Sequence, residues 1–161
     1  MCIRDSFVRN PRNRQYSPAL SAYRLDRMIA LDMIPVTVAR EIDGKNGALQ
    51  FLADNLTDEV ARSNSGRGAD AWCQLPKQWN AMYIYDSLIH NQGRPPTSML
   101  YSTDNWQMLL SGNGNTLDTK RGKPRYLEAA PMQFGPAWIA ALQSLTEERL
   151  EEELGLSLIH I

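Results

Sequence analysis

Cysteine and histidine are almost missing from this chain: 161 residues hold two of each, Cys2, Cys73, His90 and His160. Two thiols cannot build a disulfide framework. Zinc sites take three or four Cys, His or carboxylate ligands at short spacing, and no such cluster is present. No apolar run approaches the roughly 18 residues that a membrane span needs. Met1 to Asn10 carries charges where a signal peptide would have its apolar stretch. A net charge of −1 excludes a protein that holds nucleic acid or an anionic membrane by bulk electrostatics. What remains is 43% hydrophobic with four Trp, enough to bury a core, and the length suits one domain. These features predict a soluble, cytoplasmic globular domain without nucleic-acid or membrane partners.

The two termini are related at the level of DNA. Residues 1–6 (MCIRDS) can be encoded by ATG TGT ATA AGA GAC AG plus one base, and the reverse complement of those bases reads LSLIHI, the last six residues of the chain. That DNA resembles the transposase end used to prepare sequencing libraries, so 1–6 and 156–161 are read as adapter scars and set aside. Residues 7–155 keep one cysteine and one histidine and are expected to be a piece of a longer protein.

Polar, basic residues 7–17, with Arg9, Arg12 and Arg14, read as a loop or an orphaned edge. Ser17-Pro18 supplies a capping hydroxyl followed by proline in the first turn. Apolar positions Leu20, Tyr23, Leu25, Met28 and Leu31 then predict a helix to about Leu31. After Pro35, the β-branched stretch Val36 to Ile42 predicts a strand. Asp43-Gly44 and Asn46-Gly47 tolerate the positive φ of tight turns and predict a hairpin returning through Ala48 to Leu52. Residues 54–75 read as a polar connection with one short helix at Thr57 to Arg62. The Asn55 sequon carries no weight without a secretion signal.

Pro76 to His90 is a second helix, with Trp79, Met82, Tyr83, Ile89 and Asp86 along one face and its aromatics assigned to the core. Pro95 and Pro96 exclude helix in the following loop. Ser98 to Tyr101 and Trp106 to Leu110 read as strands, and Ser111 to Asn115 as a turn. Helices are expected from Pro136 to Leu145 and from Thr146 onward, with Glu147 and Glu148 favoured in the first turn of the last.

Motifs of catalysis are scarce. There is no Walker loop, nucleophile elbow, zincin helix or dinucleotide fingerprint. Gly112-Asn113-Gly114 reads as a plain turn before an anion nest, His90 as a capping or packing residue before a general base, and Cys73 as a small buried residue.

The element order carries more. Residues 22–38 (AYRLDRMIALDMIPVTV) resemble the "AAYRLDRLLGLDMVPVTV" stretch of bacterial phosphatidylinositol-3/4-kinase-like and HipA-like proteins. Residues 84–100 (IYDSLIHNQGRPPTSML) fall where that family has "VFDxLIxNxDRNxGNxL", residues 106–117 where it has "WxLWLIDHSRAF", and residues 142–155 resemble its closing helices. The resemblance implies an α+β, protein-kinase-like fold: a partial small lobe at 7–53 with a regulatory-type helix and hairpin, a connection at 54–75, and a mainly helical large lobe at 76–155. The glycine-rich loop and lysine strand would be missing.

The resemblance also implies loss of the chemistry. The catalytic Asp position holds Gly93, the metal-binding Asn position Ser98, the metal-binding Asp position Gly112, and the helix Glu position Ala19. Phosphoryl transfer rests on positioning and on neutralisation by metal ions, and Mg²⁺ demands oxygen ligands that these residues do not supply. The expectation is a pseudokinase with no catalytic or metal residues, acting by binding a nucleotide such as ATP, or a protein partner. Gln50, Phe51 and Leu52 would form the hinge, and Asn91, Arg94 and Asn113 would line the cleft, with Asn113 at the position of the family's His. Two rivals stand beside it. One is a divergent ATP-dependent phosphotransferase using Asp86, Asp104 or Asp118. The other is an interaction module using Arg121 to Arg125 or the acidic last helix.

Overall fold

A computed structural model of the chain describes residues 4–10, 17–117 and 122–154. Helix α1 (Pro18–Met28) begins as its sequence dictates: Ser17 is extended and its hydroxyl accepts from Leu20 N–H, with proline in the first turn. It stops three residues short of the expected Leu31. Ala30 turns left-handed at φ 50°, and its N–H donates to Arg27 O while Leu31 N–H donates to Asp26 O, both at 3.1 Å. This closure satisfies the last carbonyls and turns the chain away from the helix axis. Asp26 then holds the departing segment, its Oδ1 accepting from Met33 N–H at 2.9 Å and Ile34 N–H at 3.2 Å.

Strands β2 (Thr37–Ile42) and β3 (Lys45–Leu52) pair antiparallel through the two-residue turn Asp43-Gly44. Both turn residues have positive φ, 52° and 69°, as a turn matching the strand twist requires. Asn46-Gly47 therefore belongs to the strand and not to the turn. A third strand, β1 (Arg4–Arg9), runs antiparallel along the other edge of β3, with Val8 opposite Ala48 and Arg9 opposite Gly47, giving the order β1-β3-β2. Residues 7–9 are thus an edge strand, one of the two readings of 7–17. Backbone pairing to an open edge asks little of sequence, and Gly47 permits a close approach, since a Cβ there would lie 2.5 Å from Val8 O. The rest of the expected loop, 11–16, lies outside the described residues.

The connection at 54–75 is more structured than its polarity suggests. Strand β4 (Leu56–Asp58) pairs with β5 (Met99–Ser102), which pairs with β6 (Met108–Leu110), giving a second antiparallel sheet of order β4-β5-β6. Helix α2 (Glu59–Ser65) follows β4 directly, capped by Asp58 Oδ1 accepting from Ala61 N–H at 2.8 Å and ended by left-handed Gly66. The connection thus adds a strand to the pair that the sequence led us to expect near 98–101 and 106–110.

Helix α3 (Leu75–Leu88) crosses beneath this sheet and buries Gln78, Met82, Ile84, Tyr85 and Asp86. The core joins Ala22, Leu25, Met33 and Ile34 of the first half to Met82, Tyr85, Ile89, Tyr101, Met108 and Leu110 of the second, so α1 and the segment after it share one interior with α3 and the second sheet. Gln78 ties helix to sheet: its amide donates to Trp106 O at 2.9 Å and accepts from Met108 N–H. Trp79 and Tyr83 are only half-buried, meeting edge to face at 6.0 Å. They pack against the margin of the core, which Tyr85 of the same helix enters fully. Helices α4 (Pro136–Gln143) and α5 (Glu147–Leu154) close the described chain, α5 packing on α1.

Candidate functional site

The loop after α3 is held by a buried ion pair. Arg94 meets Asp86 with Nε on Oδ2 and Nη2 on Oδ1, both at 2.6 Å, and the two side chains are 1% and 0% exposed. Two further guanidinium hydrogens are used as well, Nη1 on Ser111 O at 2.6 Å and Nη2 on Asn113 Oδ1 at 2.8 Å. Asn91 Nδ2 donates to Asp86 Oδ1 at 3.2 Å, and the Tyr126 hydroxyl donates to Asp86 Oδ2. Burial, then the neighbouring Asp86 charge, pushes the Tyr126 hydroxyl far above its ordinary pKa, so it stays a donor. A charge paired and hydrogen-bonded in this way can stay in the interior, whereas an unpaired one cannot. Arg94, Asn91 and Asn113, expected to line the cleft, are therefore brought together, but as the frame that joins α3 to the 111–115 turn.

Helix α3 ends as α1 does. His90 is left-handed at φ 48°, and Asn91 N–H donates to Asp86 O at 2.9 Å. His90 is the residue that turns the chain, its Nδ1 2.7 Å from Gln92 Nε2.

Ser98 and Gly112, fourteen positions apart in sequence, sit against each other. Ser111 N–H donates to Ser98 O at 3.0 Å, and a Cβ at Gly112 would lie 3.3 Å from Ser98 Cβ. Gly112 is left-handed, φ 77° and ψ 27°, and opens the 3-10 turn Asn113–Asn115. Asn113 anchors that turn by donating to Leu110 O at 2.9 Å. Helix α1, carrying buried Ala19, packs on the same turn. Gly93 projects from the loop with nothing near the place of its missing Cβ.

Gln50, Phe51 and Leu52 lie in the central strand of the first sheet, opposite Ser6, Asp5 and Arg4 of β1, and Phe51 N–H donates to Val36 O at 2.9 Å. On one side these three residues pair with residues 4–6, the stretch read as adapter sequence, and on the other Gln50 lies opposite Thr37. The Gln50 side chain is buried and donates to Thr37 Oγ1 at 3.1 Å, while Phe51 faces outward and is exposed.

Of the carboxylates that could replace the missing ones, Asp86 is fully engaged by Arg94. Asp104 accepts from Asn55 Nδ2 at 2.6 Å on the turn between β5 and β6. Asp118, Lys120 and Arg121 lie outside the described residues. Among the described residues no group of three His, Cys, Asp or Glu could hold a metal ion, and no helix is long and apolar enough to cross a membrane.

Sequence reasoning missed Tyr126, forty residues from its carboxylate, because nothing local marks such a contact. It also missed a groove of about 790 Å³ between α3 and the segment leading into α4, lined by Pro76, Trp79, Tyr83, Phe134 and Trp138. No protein-family model and no curated protein matches the chain.

Proposed function

We propose that the chain is part of a kinase-like domain that has lost phosphoryl transfer and acts by binding. The observation that carries this reading is the convergence of Ser98, Gly112 and the α1 surface on one turn. Those are the positions where the resemblance requires the two metal ligands and the helix carboxylate. The backbone that would present them is held by Arg94, Asp86 and Asn113, while the oxygen ligands themselves are replaced by a hydroxyl, a hydrogen and a methyl. Without a metal to neutralise a transferring phosphoryl group, the arrangement stabilises a bound molecule and not its reaction. The ligand proposed is a nucleotide such as ATP, bound without Mg²⁺.

The test is thermal unfolding with ATP, in Mg²⁺ and in EDTA, together with a radiolabel-transfer assay. A ligand at about 100 times its Kd stabilises the folded state by about 2.7 kcal/mol. Stabilisation in EDTA without transfer is the expected result. Mg²⁺-dependent stabilisation with transfer would establish the phosphotransferase instead.

A second reading has its own observation. The aromatic groove, with Phe134 and Ile139 exposed beside it, favours an interaction module. No response to ATP under either condition would leave that reading standing.

A further inference from the structure

The β2-β3 hairpin carries its large apolar side chains on the face turned away from the core. Residues directly opposite in an antiparallel pair share a face, and successive residues alternate. Thr37 lies opposite Gln50, and Ala39 opposite Ala48. Thr37, Gln50 and Ala48 are buried, so their face looks inward, although its side chains are small or polar. Val38, opposite Leu49, and Ile42, opposite Lys45, point the other way. They are 41% and 40% exposed. Val36 and Phe51 continue the same face, with Phe51 N–H on Val36 O at 2.9 Å, and are 52% and 43% exposed.

Apolar side chains scattered singly over a surface need no explanation, but four on one face of one hairpin form a continuous stripe. From Val36 to Ile42 the strand rises about 20 Å, and two neighbouring strands make the stripe about 10 Å wide. An α-helix of about 13 residues has that length and that diameter. The charge on the stripe has one sign. Arg40 and Lys45 are both exposed on the outward face toward the hairpin turn. No carboxylate of β2 or β3 shares that face, since Glu41 is opposite Asn46 on the inward side and Asp43 is in the turn. Asp5, opposite Phe51, belongs to the stretch set aside as adapter sequence.

We infer that the outward face of the β2-β3 hairpin is a docking surface for an amphipathic α-helix of a partner protein. The apolar side of that helix lies on Val36, Val38, Ile42 and Phe51, and its acidic side chains meet Arg40 and Lys45. A helix satisfies its own backbone hydrogen bonds, so it asks of the sheet only what a sheet face offers, which is side chains. The two cations select against a basic helix. A stripe one helix wide is too narrow for the plane of a bilayer. This interaction is independent of nucleotide binding.

The probes are two helical peptides of about 14 residues with leucine along one side, one flanked by glutamate and the other by lysine. Their binding to the full chain is followed by fluorescence anisotropy. The glutamate peptide is expected to bind at least about tenfold more tightly than the lysine peptide, with a preference that shrinks as salt is added. Val38→Thr/Ile42→Thr keeps the branched Cβ that strands favour and removes apolar surface. It should weaken the glutamate peptide at least about fivefold while the melting temperature stays within about 3 °C of the parent. Arg40→Glu/Lys45→Glu should reverse the preference between the two peptides, which loss of folding could not do.

Failure of both peptides to bind, or binding indifferent to both double variants, would overturn the proposal. A parent that sediments as a dimer, dissociated by Val38→Thr/Ile42→Thr, would also overturn it, because a second copy would then cover the face. So would retention on phosphatidylserine vesicles that Arg40→Glu/Lys45→Glu abolishes, with neither peptide bound, since the face would then meet lipid.

Discussion

Asp26 and Asp86 occupy the same place in two different helices. Each is the residue whose carbonyl accepts the last hydrogen bond, from Leu31 N–H at 3.1 Å and from Asn91 N–H at 2.9 Å. Each also extends its carboxylate past the helix end to hold the loop that follows. Their partners differ. Asp86 receives a bidentate arginine buried beside it. Asp26 receives two backbone N–H groups, with Arg27 Nη2 3.3 Å from Oδ2 and that arginine itself more than a third exposed. One loop leads to the β2-β3 hairpin and the other to the Ser98–Gly112 contact.

The first prediction concerns Arg94. Removing one partner of a buried ion pair strands the other charge, at a cost of about 3–5 kcal/mol. Arg94→Met is expected to lose that much in denaturant unfolding. Asp86→Leu combined with Arg94→Met should cost less than the sum of the two single changes, because no unpaired charge remains. Additive losses would mean that the pair is not coupled as its geometry requires.

Asp26 provides a pH dependence of the opposite kind to that of most carboxylates. Burial raises its pKa to about 6 from 3.8, against the lowering effects of the Met33 N–H, the Arg27 charge and the Ile34 N–H. Between those values the unfolded chain has released a proton that the folded chain still holds, so raising the pH favours unfolding. Below the lower value both states are protonated, and above the upper both are ionised. At 1.36 kcal/mol per unit this is worth about 3 kcal/mol between pH 4 and pH 7. Asp26→Asn keeps an oxygen for Met33 and Ile34 N–H but cannot ionise. Its melting temperature relative to the parent should therefore climb by about 5–10 °C across that range. A constant difference would show that the carboxyl titrates normally.

Gln78 is the third case. Its amide satisfies Trp106 O and Met108 N–H in the interior, and Trp106 is itself left-handed at φ 58°, a conformation unusual for a bulky residue. Gln78→Met preserves volume but leaves two buried backbone groups without partners, each costing about 1–3 kcal/mol. Expected are a fall in stability of about 2–5 kcal/mol and faster amide exchange at Met108 than in the parent. A variant of unchanged stability would indicate that water replaces the amide.

Much of this was legible in sequence because local chemistry determined it. Ser17-Pro18 opened a helix, Asp43-Gly44 turned a hairpin, and Pro95-Pro96 kept α-helix out of the loop that carries Arg94, leaving only the 3-10 turn Pro96–Ser98. What local chemistry left open was decided by distant partners. Residues 7–9 could be read as loop or edge, and they are strand because β3 has a free edge and Gly47 allows approach. β4 is three polar-flanked residues that exist as strand only because β5 lies alongside. The site was legible at the level of spacing, since Ser98 and Gly112 do meet. What sequence could not give was the use of each group: Asn91 and Arg94 looked like cleft residues, and their hydrogen bonds turn inward to Asp86.

The positions where the resemblance would place metal ligands make a final prediction about metal binding. Gly93 has open space for a side chain, so Gly93→Asp should be tolerated. Ser98→Asn adds volume beside Gly112. Gly112→Asp is the costly change, for at φ 77° a non-glycine residue is strained by about 1 kcal/mol, aspartate less than most. The new Cβ would also press on Ser98 Cβ at 3.3 Å. Gly112→Asp alone is expected to lower the melting temperature by about 2–6 °C without any response to Mg²⁺. The triple variant brings three oxygen-bearing side chains to the loop and turn, where a hard divalent cation would be held. Its melting temperature should rise on addition of millimolar Mg²⁺ together with ATP and fall back with EDTA, while the parent shows no such dependence. A triple variant as indifferent to Mg²⁺ as the parent would mean that positions 93, 98 and 112 do not face a common metal position, and the kinase-like reading of the loop and turn would fall with it.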